Sequence, residues 1–338
     1  MMKDLLRVAD LSPVDLDLLL DEATAAKGAP YLHADLLRGD SVALYFIKPS
    51  TPTRSALQTA VARLGGVSLA MGPGELQLAR DETIEDTARM ASRSARAIVV
   101  HGFADAKLSS LAAAASVPVI NALTDGHDPC QTVAALLTLR ERWGVLAGHK
   151  VAYVGDGGNV ANSLLEAAPL AGMDVAVATP HGLEPHPEVV ARARALAAER
   201  GSRVHLACEP TGAVRDADAV VTDAWMSLHD PERARQARAH VLERFRVDRR
   251  LLACAKPDAL FLHCLPAYRG REVTSEVIDG PRSLVLEQAA NLLPVAQAVL
   301  STLLGGKLQG RKHPLAVPDD SPPLVAALAH VSRRRDHR

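Results

Sequence analysis

The sequence predicts an α/β protein of two domains, each with a parallel sheet flanked by helices. The chain has 338 residues, more than a single hydrophobic core usually organises. Short apolar runs alternate with helical patterns along both halves, which is typical of parallel strands covered on both faces. Apolar residues make up 48% of the chain, enough to supply a core in each half.

The first domain is predicted to span residues 1–143. Ser12 and Pro13 fit the N-cap and first position of an amphipathic helix that ends near the sequence KGAP. Four strands are predicted from the runs SVALYFI, VSLAM, AIVV and VPVIN. A helical pattern from Cys130 to Trp143 then gives way to a glycine-containing link that marks the domain boundary.

The second domain is predicted to span residues 144–305. Its strands are predicted from the runs KVAYVGD, DVAVATP, VHLA, AVVTDA and ALFLHCLP. A helical pattern from Gln288 to Leu304 ends the domain, and we expect this helix to return to the first domain. The tail 306–338 is rich in Pro, Arg and Asp, and we expect it to be mobile.

The composition excludes several classes of function. A net charge of −1 gives no attraction to nucleic acid or to a membrane surface. No run reaches membrane-spanning length and the N-terminus does not resemble a signal peptide, so we expect a cytoplasmic protein with small-molecule partners. The four cysteines lack zinc or redox spacing, so we expect reduced thiols, no metal and no cofactor.

Most of the unusual polar residues fall in loops that follow predicted strands. Ligands of open parallel sheets bind at the carboxyl ends of the strands, which makes these loops the predicted site. The loops are KPSTPTR, HGF, NALTDGHDPCQ, GDGGN, DAWMS and HCLPAYRG.

The first of these loops allows two interpretations. Ser50, Thr51 and Thr53 could surround an anion at a helix start, where Pro52 needs no donor, or they could only cap the helix. VGDGGN lacks the G-x-G-x-x-G spacing of dinucleotide sites, so a tight turn is the simpler interpretation. Asn159 nevertheless follows it at a helix start, where an amide could bind a carboxylate or an ammonium group.

The last two loops carry acidic, hydroxyl, imidazole and thiol groups. Asp223 could pair with an ammonium group and Ser227 could add a hydrogen bond, although an acid at a strand end is often only a cap. His263 and Cys264 end the next strand, where a buried structural cysteine is the alternative.

Taken in order, these pieces resemble the aspartate/ornithine carbamoyltransferase family, specifically its ornithine branch. HCLPAYRG is the most specific piece. The resemblance covers about residues 1–305 and rests on STPTR, DETIEDTARM, DPCQTVAALLTL, VGDGGN, TDAWMS and HCLPAYRGREV.

The resemblance implies a homotrimer with a carbamoyl-phosphate domain followed by an amino-acid domain. It implies that Asn159, Asp223 and Ser227 bind the α-amino and carboxylate end of an ornithine-like amino acid. Cys264 and the Leu265 backbone would meet the side-chain amine and the carbamoyl group. Gln77 would reach into the site of a neighbouring subunit.

The donor half departs from the family pattern at four positions. Pro52 replaces the middle arginine of STRTR, and His101 replaces an arginine in the next strand-end loop. Asp128 replaces the histidine that polarises the carbamoyl oxygen, while His127 sits one place early. Leu292 replaces the arginine of the family's C-terminal E-N-R motif. The donor or anion ligands that we expect are Ser50, Thr51, Thr53, His101 and Gln131.

Three hypotheses remain open at this point. The first is carbamoyl transfer to an ornithine-like amine, with His101 and His127 replacing lost cations. The second is another anionic or polar donor, or another reaction, with Asp128 as a general base. The third is a catalytically silent amino-acid binder or a partner subunit. For the two enzymatic hypotheses, Cys264, Asp128 and His263 are the catalytic candidates.

Overall fold

The first half of the chain forms a parallel sheet flanked by helices. A computed structural model describes residues 2–76, 82–225 and 232–311. The strands are β1 (Ser41–Phe46), β2 (Val67–Met71), β3 (Ala97–Phe103) and β4 (Val119–Thr124), and the helices are α1 (Pro13–Gly28), α2 (Thr51–Arg63), α3 (Ile84–Ser94), α4 (Asp105–Ala114) and α5 (Pro129–Trp143). Within the described residues the strand order is β2-β1-β3-β4, and every pair is parallel.

The second half repeats this architecture with five strands. They are β5 (Lys150–Val154), β6 (Asp174–Ala178), β7 (Val204–Ala207), β8 (Ala219–Thr222) and β9 (Leu260–His263), in the parallel order β7-β6-β5-β8-β9. The helices are α6 (Asn159–Leu170), α7 (Pro187–Arg200), α8 (Pro210–Val214), α9 (Glu232–Leu242), α10 (Arg249–Leu252), α11 (Ser275–Ile278) and α12 (Val285–Leu304). The predicted fold class is confirmed.

Local chemistry explains how the first helix begins. The Ser12 hydroxyl accepts a hydrogen bond from the Asp15 backbone N–H at 3.1 Å, and the Asp15 carboxylate accepts one from the Ser12 N–H at 3.0 Å. Such a capping box satisfies two N–H groups that a helix start would otherwise leave unpaired. Pro13 occupies the first turn, as the sequence predicts.

Two strands of the first sheet extend further than the sequence predicts. β3 continues through Phe103, so His101 lies within a strand and not in a loop that follows it. β4 continues through Thr124, and register shifts where β3 pairs with β4 accommodate the extra residues. Hydrogen bonding to the neighbouring strand, which the apolar pattern does not report, decides these ends.

The last helix, α12, packs against α1, α2 and α5 of the first half. The stretch 306–311 is also held in place, in contrast to the mobile tail that we expected. Leu308 is fully buried, and the Gln309 N–H donates to the Asp15 carboxylate at 2.8 Å. Residues 312–338 lie outside the described residues. Among the described helices, none has the length and apolar character needed to cross a membrane.

Candidate active site

The loop before α2 uses its hydroxyl groups partly for capping. The Ser50 hydroxyl accepts a hydrogen bond from the Thr53 N–H at 3.3 Å, as an N-cap residue does. Thr53 is buried, whereas Thr51 and Pro52 are exposed in the first turn of the helix. The structure therefore shows helix capping by Ser50, and Thr51 remains exposed beside Pro52.

His101 is buried on β3 and is not a cation. Its Nδ1 lies 3.0 Å from the carbonyl oxygen of Lys48, and its ring packs 5.3 Å from that of Phe46. Burial lowers the pKa of His101 to about 4, although the hydrogen bond to Lys48 acts in the opposite direction. The expectation that His101 supplies the charge of a lost arginine is therefore wrong.

Asp128 is the N-cap of α5 and lies almost completely buried. Its carboxyl oxygen Oδ1 accepts a hydrogen bond from the Gln131 N–H at 3.1 Å. Burial raises the pKa of Asp128 to about 7; the Gln131 bond opposes the shift and the negative charge of Asp223 adds to it. Asp128 therefore exchanges a proton near neutral pH. The side-chain Oε1 of Gln131 is buried with no hydrogen-bond partner among the described residues.

His127, next to Asp128, is a cation held between two carboxylates. Its Nδ1 lies 2.9 Å from Asp105 Oδ1, and its Nε2 lies 3.7 Å from Glu166 Oε1. Burial alone lowers the pKa of His127, but the two carboxylates outweigh it and raise the pKa to about 9. The positive charge is thus already neutralised, so His127 does not replace a lost arginine. Sequence reasoning missed Asp105 and Glu166, because neither belongs to a loop motif.

Asp223 and Cys264 meet where β8 and β9 end. The Cys264 thiol donates a hydrogen bond to Asp223 Oδ1 at 2.9 Å, and the Ala224 N–H donates to the same oxygen at 2.7 Å. Burial, reinforced by the negative charge of Asp223, holds the pKa of Cys264 well above its ordinary value. The thiol is therefore a hydrogen-bond donor at neutral pH and not a nucleophile.

His263 supports this loop from inside and does not face the cleft. It is fully buried, its Nδ1 accepts a hydrogen bond from the Leu265 N–H at 2.9 Å, and its Nε2 lies 3.6 Å from Glu272 Oε1. The expectation of a catalytic His263 is wrong, because a fully buried ring cannot touch a substrate. Because the Leu265 N–H already donates to His263, a ligand could bind the Leu265 backbone only through its carbonyl oxygen.

Asp223, His263 and Cys264 each place one possible ligand atom within 4.8 Å of the others. These atoms are close enough to share a metal ion, although His263 already uses Nδ1 for the Leu265 bond. Sequence spacing could not show the cluster, because its members come from two strands.

The remaining predicted residues are placed as follows. Asn159 begins α6, where its Nδ2 donates to the Thr124 carbonyl at 3.1 Å and its Oδ1 accepts from the Val160 N–H at 2.7 Å. Leu292 belongs to α12, and its side chain is buried in the core. Gln77 and Ser227 lie outside the described residues.

Comparison with known proteins identifies the family of both halves. Residues 3–141 match the aspartate/ornithine carbamoyltransferase carbamoyl-P binding domain, and residues 147–303 match the Asp/Orn binding domain. Ornithine carbamoyltransferase from Acidothermus cellulolyticus is 46% identical over 304 residues, which cover 90% of this chain and 97% of that protein. The one from Pyrococcus abyssi is 44% identical over 313 residues, covering 91% and 98%.

Solved structures agree with this assignment. Ornithine carbamoyltransferase from Pyrococcus furiosus superposes with a TM-score of 0.86 at 43% identity, covering 90% of this chain and 97% of that one. The one from Gloeobacter violaceus gives a TM-score of 0.81 at 41% identity, covering 90% and 99%. The chain therefore belongs to the aspartate/ornithine carbamoyltransferase family and is a transferase.

Proposed function

We propose that this protein transfers a carbamoyl-type group to the side-chain amine of an ornithine-like L-amino acid, using a donor site without the family's paired cations. The observation that carries this proposal is the Asp223–Cys264 pair at 2.9 Å, where β8 and β9 end. Relatives that carry the name ornithine carbamoyltransferase at 42–46% identity support the choice of acceptor.

The acceptor half suits a cationic amino acid. Asp223 supplies a carboxylate for an ammonium group, and Asn159 stands at the start of α6, where helix N–H groups favour a carboxylate. Because Cys264 keeps its proton, its thiol orients the Asp223 carboxylate instead of attacking the donor.

The donor half has lost positive charge. Pro52 and Leu292 carry none, His101 is neutral, and the charge of His127 is balanced by its own partners. A charge-assisted hydrogen bond is worth roughly 1.5–3 kcal/mol, so the two missing arginines alone weaken dianion binding by several orders of magnitude. Weak binding of carbamoyl phosphate follows.

Asp128 supplies the proton transfer that the reaction needs. The acceptor amine must lose a proton before its nitrogen lone pair attacks the carbonyl carbon of the donor. Asp128, with a pKa of about 7, can take that proton at neutral pH. The new N–C bond then forms as the bond to the leaving group breaks, and the leaving group departs with the electron pair of that bond.

A second candidate keeps this acceptor chemistry but uses a donor that is not carbamoyl phosphate. Asp128 favours it, since a carboxyl group in the place of the family's histidine repels a dianion when it is ionised but tolerates a neutral or cationic donor.

Calorimetry with L-ornithine, L-lysine and diaminobutyrate tests the acceptor half. We expect ornithine to bind and Asp223→Asn to weaken its binding at least tenfold. Asp279→Asn, which removes an exposed acid paired with Arg269, should leave binding unchanged. Mass spectrometry for a ureido product, with carbamoyl phosphate or with neutral carbamoyl donors, separates the two candidates. An absence of binding by every amine, with donors present, contradicts both.

A further inference from the structure

One face of α6 contacts the loop of the other domain that precedes α5. Asn159, Asn162, Ser163 and Glu166 follow the spacing i, i+3, i+4, i+7, which places them on one side of a helix. We call this set the α6 stripe. It faces residues 124–128, which join β4 to α5 and end at Asp128.

Each member of the α6 stripe contacts a different residue of that loop. Besides the Asn159 bond to Thr124, Asn162 Nδ2 donates to the Gly126 carbonyl at 3.1 Å. The Asp128 N–H donates to the Ser163 hydroxyl at 2.8 Å, and Glu166 approaches His127 Nε2. The four contacts therefore join one face of the helix to four residues of the loop, from one domain to the other.

Three of the four members of the α6 stripe are buried, and the stripe is anchored from behind by α7. Ser163 and Glu166 are fully buried and Asn162 is 5% exposed, so water does not compete for their bonds. Arg192 of α7 holds Glu166 through a bond of 2.8 Å. Losing one partner of a buried hydrogen bond leaves the other unsatisfied, which is costly and fixes the geometry of the pair.

We propose that Asn162 and Ser163 are positioning residues that hold the backbone of residues 126–128, so that the Asp128 carboxyl faces the acceptor amine. This proposal rests on the proposed function, because it gives Asp128 a substrate proton to receive. Ser163 binds the N–H of Asp128 itself, and Asn162 binds the carbonyl two residues before it.

The carboxyl of Asp128 then has a fixed set of neighbours. The Gln131 N–H binds it from α5, Asp223 acts on it from the end of β8, and Cys264 and Cys130 are the thiols within its electrostatic reach. The acceptor domain holds the backbone of Asp128 through α6, the helix that starts with the acceptor-site residue Asn159. Binding of the acceptor amino acid should therefore change the protonation of Asp128.

Amide hydrogen exchange of the full-length protein tests the positioning without any ligand. We expect Ser163→Ala to speed exchange in the segment 124–131 at least tenfold, with α12 unchanged. Ser301→Ala is the matched control: Ser301 is also a buried helical serine, but it bonds only within α12. Unchanged exchange in both Ser163→Ala and Asn162→Ala overturns the proposal, whether or not ornithine binds.

Proton release on binding tests the functional consequence. At pH 7 the free protein holds about half a proton on Asp128. Free ornithine carries one proton on its side-chain amine. In the complex, the amine and the Asp128 carboxyl together keep one proton. Binding should therefore release about half a proton to the buffer. Calorimetry with ornithine in buffers of different ionisation enthalpy measures this release. We expect it to vanish in Asp128→Asn and to fall at least twofold in Ser163→Ala.

The outcomes separate this inference from the proposed function. Ornithine binding with the same proton release in Ser163→Ala, Asn162→Ala and the native protein overturns the positioning role. Failure of the native protein to bind any amine contradicts the proposed function instead, and hydrogen exchange alone then decides whether α6 holds the loop. If Ser163→Ala does not fold, Asn162→Ala provides both measurements.

Discussion

His127 and Asp128 are consecutive residues that both hold a proton more tightly than usual, for opposite electrostatic reasons. Two carboxylates stabilise the charged form of His127, whereas burial and a third carboxylate destabilise the charged form of Asp128. One short loop thus combines a lasting cation with an acid that titrates near neutral pH. Both shifts predict how stability varies with pH.

Replacing Asp128 should stabilise the protein at high pH only. The folded chain keeps the Asp128 proton up to about pH 7, whereas an unperturbed aspartate loses it near 3.8, so folding weakens as the pH rises between these values. Asp128→Asn keeps a capping oxygen and removes this penalty. We expect its free energy of unfolding to exceed the native value by roughly 1–4 kcal/mol above pH 7, and to match it near pH 4. Urea unfolding at both pH values measures this difference. A variant that is less stable than the native protein by the same amount at both pH values would contradict the prediction.

Replacing His127 should remove a stabilisation that is present at low pH. The pKa of His127 in the folded chain is about 9, above the ordinary value of 6.5. Its ion pairs therefore contribute fully to the free energy of unfolding below pH 6.5, and this contribution is lost as the pH rises through 9. We expect His127→Gln to lower stability by roughly 3 kcal/mol at pH 6 and much less at pH 10. The control is His181→Gln, which removes an exposed histidine paired with Glu184. A loss that does not depend on pH would show that packing dominates.

Restoring charge at α2 should restore binding of carbamoyl phosphate. Pro52 is exposed in the first turn, so an arginine fits there without disturbing the core. We expect Pro52→Arg with Asp128→His to raise affinity at least tenfold, because one charge-assisted contact is worth roughly 1.5–3 kcal/mol. Ser55→Arg, which adds the same charge one turn further along α2, is the control. Micromolar binding by the native protein would contradict the proposed loss of donor affinity.

An arginine at Leu292 should destabilise the fold unless its charge reaches the cleft. Leu292 is 2% exposed, whereas Leu286 on the same helix is 73% exposed. We expect Leu292→Arg to lower the free energy of unfolding by about 3–5 kcal/mol, as an uncompensated buried charge does, and Leu286→Arg to change it little. Thermal unfolding compares the two. Equal stability would mean that the helix has room to turn the guanidinium toward the donor site.

The protein should form a homotrimer. Met90 is 68% exposed on α3, directly after the segment ELQLARDETIEDTAR that the family resemblance places at the subunit interface, and burial of such a side chain favours association. We expect light scattering to give the mass of a trimer and Met90→Asp to shift the protein toward monomer. Val14→Asp, at another exposed apolar residue, should not. A native monomer at all concentrations would refute this prediction and the composite site.

Much of the fold, and the acceptor half of the candidate site, follow from local sequence. Apolar runs identify the strands, and burial on both faces demands them in central strands such as β1 and β8, while strand-end loops collect the polar residues. Asn159 and Asp223 are predicted as acceptor-site residues in this way. The ends of β3 and β4 are not predicted, because pairing with a neighbouring strand sets them, and the order of 306–311 depends on Asp15, far away in the chain.

The sequence by itself determined the family, the parallel α/β architecture and the positions where the chain departs from the family's donor-site motifs, because these depend on residue identity and order. Only the tertiary structure decided what those residues do. His101 is neutral because it is buried, Asp128 is a weak acid because burial and Asp223 act on it, and His263 supports a loop because its ring is enclosed. The α6 stripe is likewise invisible until the fold brings residues 124–128 against it. Ionisation and hydrogen bonding depend on neighbours that are distant in sequence, which no local pattern records.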